Sequence, residues 1–341
     1  MSEKESEQRR KKTQTRSFGA GNRISHDASG YYESKLYSEL PRETPFEEDQ
    51  ALPEDLRNTL ILADARSMQQ IPDRSVHLMV TSPPYNVSKA YDEDLSLREY
   101  LELLEDVFRE THRVLVHGGR ACINVANVGR KPYIPLSDHI SHIMSSIGFL
   151  MRGEVIWNKG AGAGVSMAWG SYKSASNPVL RDVHEYILIF SKGGFGREAK
   201  GRESTITKED FMEWTKSVWT MPTESAKKVG HPAPFPVELP RRLIELYTFK
   251  DDIILDPFMG SGSTALAALT TNRQYVGFEI APEFAERARQ RIDHYLNTGD
   301  TGGKATPKVE SGQTPIDPTQ VDQNQPDQSS QNQAAADSDS L

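Results

Sequence analysis

Ser75-Val76-His77-Leu78-Met79-Val80-Thr81, running into Ser82-Pro83-Pro84-Tyr85-Asn86, reads as a buried strand that stops abruptly. The β-branched and apolar residues predict a strand over 76–81. Two consecutive prolines cannot continue it, because each lacks an N–H and fixes φ. The chain must leave the sheet at Ser82 in a stiff, extended turn that presents a hydroxyl, a carbonyl oxygen and an aromatic ring together. A planar nucleobase with an exocyclic amine suits that set: two amine hydrogens need two acceptors, and the ring needs a face to stack on. An ordinary strand-ending turn would also explain the tetrapeptide taken alone.

A second stretch lies nearly 180 residues on. Asp252-Ile253-Ile254-Leu255 predicts a buried strand, followed by Asp256-Pro257-Phe258-Met259-Gly260-Ser261-Gly262-Ser263-Thr264 and a helix over 265–268. Strand, glycine turn, helix brings backbone N–H groups at a helix N-terminus against an anionic ligand. Gly260 and Gly262 allow tight turning and close approach without a Cβ. This is not a Walker loop, because no lysine precedes the Ser/Thr. Gly260-x-Gly262-x-x-Ala265, with Glu279 ending a strand at 275–278, satisfies a relaxed dinucleotide fingerprint. A dehydrogenase would explain these residues almost as well, but it has no use for Asp-Pro-Phe or Ser-Pro-Pro-Tyr.

Ser82-Pro83-Pro84-Tyr85 resembles the Ser/Asp/Asn-Pro-Pro-Tyr/Phe motif of the DNA amino-methyltransferases, and Asp256–Thr264 resembles their S-adenosylmethionine loop. With the catalytic motif upstream of the cofactor loop, the order resembles the circularly permuted β class, over roughly residues 58–297. The resemblance implies an α/β Rossmann-like fold: a mostly parallel sheet with one antiparallel strand and helices on both faces. It implies S-adenosyl-L-methionine as cofactor, double-stranded DNA as partner and, in a restriction–modification setting, a cognate restriction endonuclease. Ser82 Oγ and the Pro83 carbonyl would accept the amine hydrogens, Pro84 would stiffen the turn, and Tyr85 would stack on the flipped base. Asp256 would face the methionine ammonium, Phe258 would line the cofactor wall, and Gly260, Gly262, Ser263 and Thr264 would form the loop. Glu279 would accept from both ribose hydroxyls, and Asp64, at the end of a strand at 59–62, would lie near the adenine. A turn cap is the competing role for Asp64. No metal is implied.

A serine at the first motif position goes mostly with N4 of cytosine in that family, and aspartate with N6 of adenine. N4-cytosine is the reading and N6-adenine the alternative; a non-catalytic DNA-binding module is a rival of another class. A C5-cytosine mechanism needs a cysteine nucleophile, and the single cysteine, Cys122, sits inside a predicted strand.

The net charge of -8 looks wrong for a DNA-binding chain. Arg9-Arg10-Lys11-Lys12, the run from Lys192 to Arg202, Lys227-Lys228 and Arg241-Arg242 are nevertheless local basic clusters. No apolar run approaches a membrane span and the N-terminus has no secretory pattern, so the expectation is a cytoplasmic protein.

Residues 1–50 are expected to be mostly flexible, with 25–40 docking on the domain or on DNA, and 298–341 to be a disordered tail. The catalytic domain spans 51–297. Within it, 160–182 and 192–230, the latter with Trp214 and Trp219, are expected to recognise DNA. Ser96 and Glu99 have capping-box spacing for a helix that buries Leu97, Leu101, Leu104, Phe108 and Leu115 and stops at Gly118-Gly119. A strand at 121–125 and a helix capped by Ser137 and closed by Gly148 follow, then strands at 153–157 and 186–190. His231 opens a Pro-rich break before a helix at 237–248 and is expected to be structural.

Overall fold

Eight apolar runs assemble into a single sheet. In chain order they are β1 (Thr59–Leu62), β2 (Val76–Thr81), β3 (Leu115–Val125), then a separate two-stranded ribbon of β4 (Val128–Gly129) and β5 (Tyr133–Ile134), then β6 (Leu150–Asn158), β7 (His184–Ser191), β8 (Val218–Thr220), β9 (Ile253–Asp256) and β10 (Gln274–Glu279). The sheet order is β1-β10-β9-β2-β3-β7-β6-β8. Every pairing in it is parallel except the two made by β7. The computed structural model describes residues 32, 35–84, 95–160, 171, 173–224 and 234–302. Tyr85, His231, Lys227-Lys228, Arg9-Arg10-Lys11-Lys12, residues 161–170 and 172 of the 160–182 loop and the tail from 303 lie outside the described residues.

Strand side chains alternate between faces, and here the alternation separates two cores. Met79, Ile123, Val125, Leu188, Phe190, Ile253 and Leu255 join one cluster with Leu104, Phe108, Ile140 and Met144. These come from α1 (Leu97–Val114) and α2 (Leu136–Ile147). Leu78, Val80, Cys122, Ile187, Ile189 and Ile254 join the other. That face is covered by α4 (Glu238–Tyr247), α5 (Ser263–Thr270) and α6 (Pro282–Thr298), and by Trp214 from α3 (Lys208–Trp214). Apolar faces on both sides of a sheet require helices on both sides. The α/β fold read from the sequence is the one observed.

Local differences have local causes. The Ser96–Glu99 capping box forms, but the buried stripe of α1 is Tyr100, Leu104, Val107, Phe108, Thr111 and Val114, and Leu97 is exposed. The stripe follows the 3.6-residue period from Tyr100, which the leucines alone did not reveal. Gly118-Gly119 does not stop α1; the helix ends at Val114 and both glycines lie inside β3, whose register against β2 shifts there. A Cβ on Gly118 would collide with the Gly196 carbonyl oxygen. Gly148 closes α2 in the left-handed region as expected, but Pro135 holds the N-cap position and Ser137 lies inside the helix. Residues 192–230 contain α3 and the edge strand β8, and Trp214 and Trp219 are buried in the second core. Those two rings are packing, not surface available to a partner.

Near the N-terminus the Thr44 N–H donates to Gly193 O and the Gln50 N–H to Arg74 O, both at 2.7 Å. Leu52 packs into the first core. Among the described residues no helix is long and apolar enough to cross a membrane.

Candidate active site

The carboxyl ends of β2 and β9 are neighbours in the sheet. That adjacency brings together two stretches 175 residues apart: the Thr81 hydroxyl donates to Asp256 Oδ1 at 2.6 Å. The Thr264 hydroxyl reaches the Val80 carbonyl at 3.4 Å. The Ser-Pro-Pro turn and the glycine loop therefore emerge side by side from one edge, where open α/β sheets bind ligands.

The glycine loop is held by its own backbone and one carboxylate. Gly260 and Gly262 both have positive φ, 51° and 80°, a region an L side chain rarely adopts. A Cβ on Gly262 would also sit 3.3 Å from Ala288 Cβ of α6. The Gly260 N–H donates to Glu279 Oε2 at 2.8 Å and the Ala281 N–H to Oε1 at 2.9 Å. Glu279 closes β10, and burial raises its pKa against the pull of these N–H donors. The Ser263 hydroxyl donates to the Phe235 carbonyl at 3.1 Å. Phe258 is half-buried against the first core.

Asp256 is the buried charge of the site. Burial pushes its carboxyl up to about 6, although the Thr81 and Thr264 hydroxyls and the Phe258 N–H favour the ionised form. Oδ1 accepts from Thr81 and from the Phe258 N–H. Oδ2 is buried and has no hydrogen-bond partner among the described residues. A buried acceptor without a donor is costly, and this atom suits a cation or an N–H of a bound ligand.

Ser82 is half-buried at the mouth and Pro83 is buried. The Pro84 carbonyl accepts from the Tyr100 hydroxyl at 2.7 Å, so α1 props the turn from behind. Asn124 Nδ2 approaches Ser82 Oγ at 3.5 Å. Thr81, Tyr100 and Asn124 were not singled out in the sequence. Asn124 carried a signal, being the one strongly polar side chain in the apolar run 121–125 that ends β3. Asp64 ends up beside β10, since the Ala63 N–H donates to Glu279 O. Its carboxylate is engaged by the Arg66 backbone N–H, Nε and Nη2 at 2.9, 2.8 and 2.6 Å. The Arg66 hydrogen bond holds its pKa low, which is the turn-capping role. Cys122 is wholly buried and its thiol is pushed up to about 12 by burial, so no thiolate nucleophile is available there.

A family model described as DNA methylase, for the N6/N4 methyltransferases, matches residues 76–290, which contain both motifs. The chain belongs to this DNA methylase family. The methylase is 33% identical over 266 residues to the type II methyltransferase M.MjaI of Methanocaldococcus jannaschii, covering 65% of this chain and 86% of that one. A Thermus thermophilus protein described as a putative DNA modification methylase, solved with S-adenosyl-L-methionine, superposes with a TM-score of 0.58 at 32% identity. That match covers 70% of this chain and 94% of the other. The cytosine-N4-specific PvuII DNA methyltransferase shares the fold at a TM-score of 0.57 and 20% identity, over 74% and 88% of the two chains. The methylase is thus a DNA-modifying enzyme with its motifs in permuted order.

Proposed function

We propose that this methylase transfers a methyl group from S-adenosyl-L-methionine to N4 of cytosine in double-stranded DNA, with the target base rotated out of the helix. The observation that carries the reading is the 2.6 Å bond between Thr81 and Asp256, which sets the Ser-Pro-Pro turn against the glycine loop. The residues fit the cofactor. The Oδ2 of Asp256 suits an ammonium N–H, and Glu279 keeps lone pairs for ribose hydroxyls. The cofactor supplies a methyl already activated on a sulfonium.

The chain's share of the work is positioning. Ser82 Oγ and the Pro83 carbonyl accept the two amine hydrogens. This draws the nitrogen lone pair out of conjugation with the ring and aims it at the methyl carbon. With the cofactor bound, the new N–C bond would form as the methyl–sulfur bond breaks and sulfur keeps that electron pair, while the amine would shed one proton to solvent; no covalent bond to the protein is needed. Tyr85 stacks on the extruded base, so Tyr85→Ala should weaken productive DNA binding by roughly 1–3 kcal/mol, read as a higher KM for DNA.

N4-cytosine rests on the neutral serine at the first motif position; N6-adenine is the alternative. Parts of 160–182 and 192–230 are the DNA-reading segments of this proposal. The type II names of the relatives support pairing with a restriction endonuclease. The test is nucleoside mass spectrometry of unmodified DNA after reaction with labelled cofactor. N4-methylcytosine is expected, N6-methyladenine would move the target atom, and neither product would overturn the reading.

Asp256 gives a pH prediction. A carboxyl that titrates at about 6 is protonated below that pH and loses its attraction for an ammonium. Cofactor Kd should be flat above about pH 7 and rise roughly tenfold per unit well below 6, and Asp256→Asn should bind weakly without that slope. Since the folded value lies above the ordinary one, the cofactor-free fold should lose stability as pH rises towards 6. Calorimetry across this range, with and without the substitution, checks both.

A further inference from the structure

Four adjacent strands each place one polar side chain at the edge of the sheet that carries the site. Ser82 follows β2, Asn124 is near the end of β3, Glu185 lies at the start of antiparallel β7, and Lys159 follows β6. Their near neighbours Val80, Cys122, Ile187 and Trp157, two positions away on the same strands, all belong to the second core. The row therefore lies on the face that α5 covers. Its members touch in sequence. Lys159 Nζ donates to Glu185 Oε1, Asn124 Nδ2 donates to Glu185 Oε2 at 2.5 Å, and the same Nδ2 lies 3.5 Å from Ser82 Oγ. Asn124 is 2% exposed and Glu185 8%.

An apolar row would hold this edge at least as well, because a buried ion pair brings little net stability. What the polar row sets is direction. Turned the other way, Asn124 would point its carbonyl oxygen at the Glu185 carboxylate. The carboxylate therefore holds Nδ2 inward, and Oδ1 is left buried with no partner among the described residues.

We propose that Glu185 and Asn124 are positioning residues for Ser82. Glu185 locks the Asn124 amide, whose other N–H is aimed at Ser82 Oγ and fixes where that oxygen sits. Lys159 fixes the far carboxylate oxygen. This rests on the proposed role of Ser82, and it accounts for how the serine oxygen is held at one position beside the target amine.

The test is a double-mutant cycle on the full-length protein, with tritiated S-adenosyl-L-methionine and unmethylated genomic DNA. Glu185→Gln should lower kcat about 10- to 100-fold, leaving KM for DNA and cofactor Kd within about twofold. In a Ser82→Ala background the same change should cost nothing further. Wild-type kcat in Glu185→Gln, or an undiminished second loss on top of Ser82→Ala, overturns the proposal. A wild-type rate in Ser82→Ala alone would instead remove the underlying role of the serine.

If Glu185→Gln fails to bind cofactor, the exchange Asn124→Asp with Glu185→Gln restores an amide–carboxylate pair with its polarity reversed. That variant should bind cofactor and turn over within about tenfold of wild type, because Ser82, donating its own hydrogen to the new carboxylate, is again held in place and keeps both lone pairs for the amine. Turnover as slow as in Ser82→Ala there overturns the proposal.

Discussion

Ser82→Ala leaves a folded methylase that binds S-adenosyl-L-methionine with unchanged affinity and transfers methyl about 10²-fold more slowly. The affinity is spared because Ser82 is not part of the cofactor loop. The loop's bond to this strand is made by the preceding residue, Thr81. The rate falls because an exocyclic amine is a poor nucleophile while its lone pair is shared with the ring, and one of its two acceptors is gone. Only the Pro83 carbonyl remains, and a backbone carbonyl cannot be removed by substitution. Single-turnover incorporation of labelled methyl at saturating cofactor isolates this step. A wild-type rate would take the serine out of the mechanism.

Glu279→Ala should act in the opposite sense, raising cofactor Kd by about 10²-fold or more with a smaller effect on kcat at saturation. The carboxylate accepts from the N–H groups of Gly260 and Ala281. Removing it leaves both donors unpaired at a buried site, at about 1–3 kcal/mol each, before any ribose contact is counted. Glu279→Gln is no remedy, because its amide nitrogen would have to face one of those two N–H donors. Isothermal titration with the cofactor measures the effect directly, and an unchanged Kd would show that the carboxylate neither shapes the loop nor meets the ribose. The paired outcomes matter as a set: Ser82 should move kcat, Glu279 should move Kd, and Asp256 should move the dependence of Kd on pH.

The two motifs and most strands were legible in the chain because their causes are local. Two prolines end a strand wherever they fall, and β2 stops at Thr81 for that reason. Gly260 and Gly262 announce a turn that only glycine makes without strain. Alternating apolar runs covered on both faces call for helices on both faces, and the two cores are the result. α6 was also within reach, with Pro282 at its start and Phe284, Ala285, Ala288 and Ile292 on one side, but it carries no chemistry and was passed over.

What lay beyond the chain's local pattern was which strand ends meet. Placing β9 against β2 turns Thr81, an unremarked strand residue, into the link between the halves of the site. Setting β7 antiparallel between β3 and β6 carries Glu185 to the same edge as Asn124 and Lys159. The same sheet turns Trp219, read as a recognition residue, into core by adding β8 at the far edge. Local propensity acts over a few residues, whereas a hydrogen bond across 175 positions depends on the order in which strands pack. The kind of chemistry was written along the polypeptide; the company each catalytic atom keeps came from the sheet.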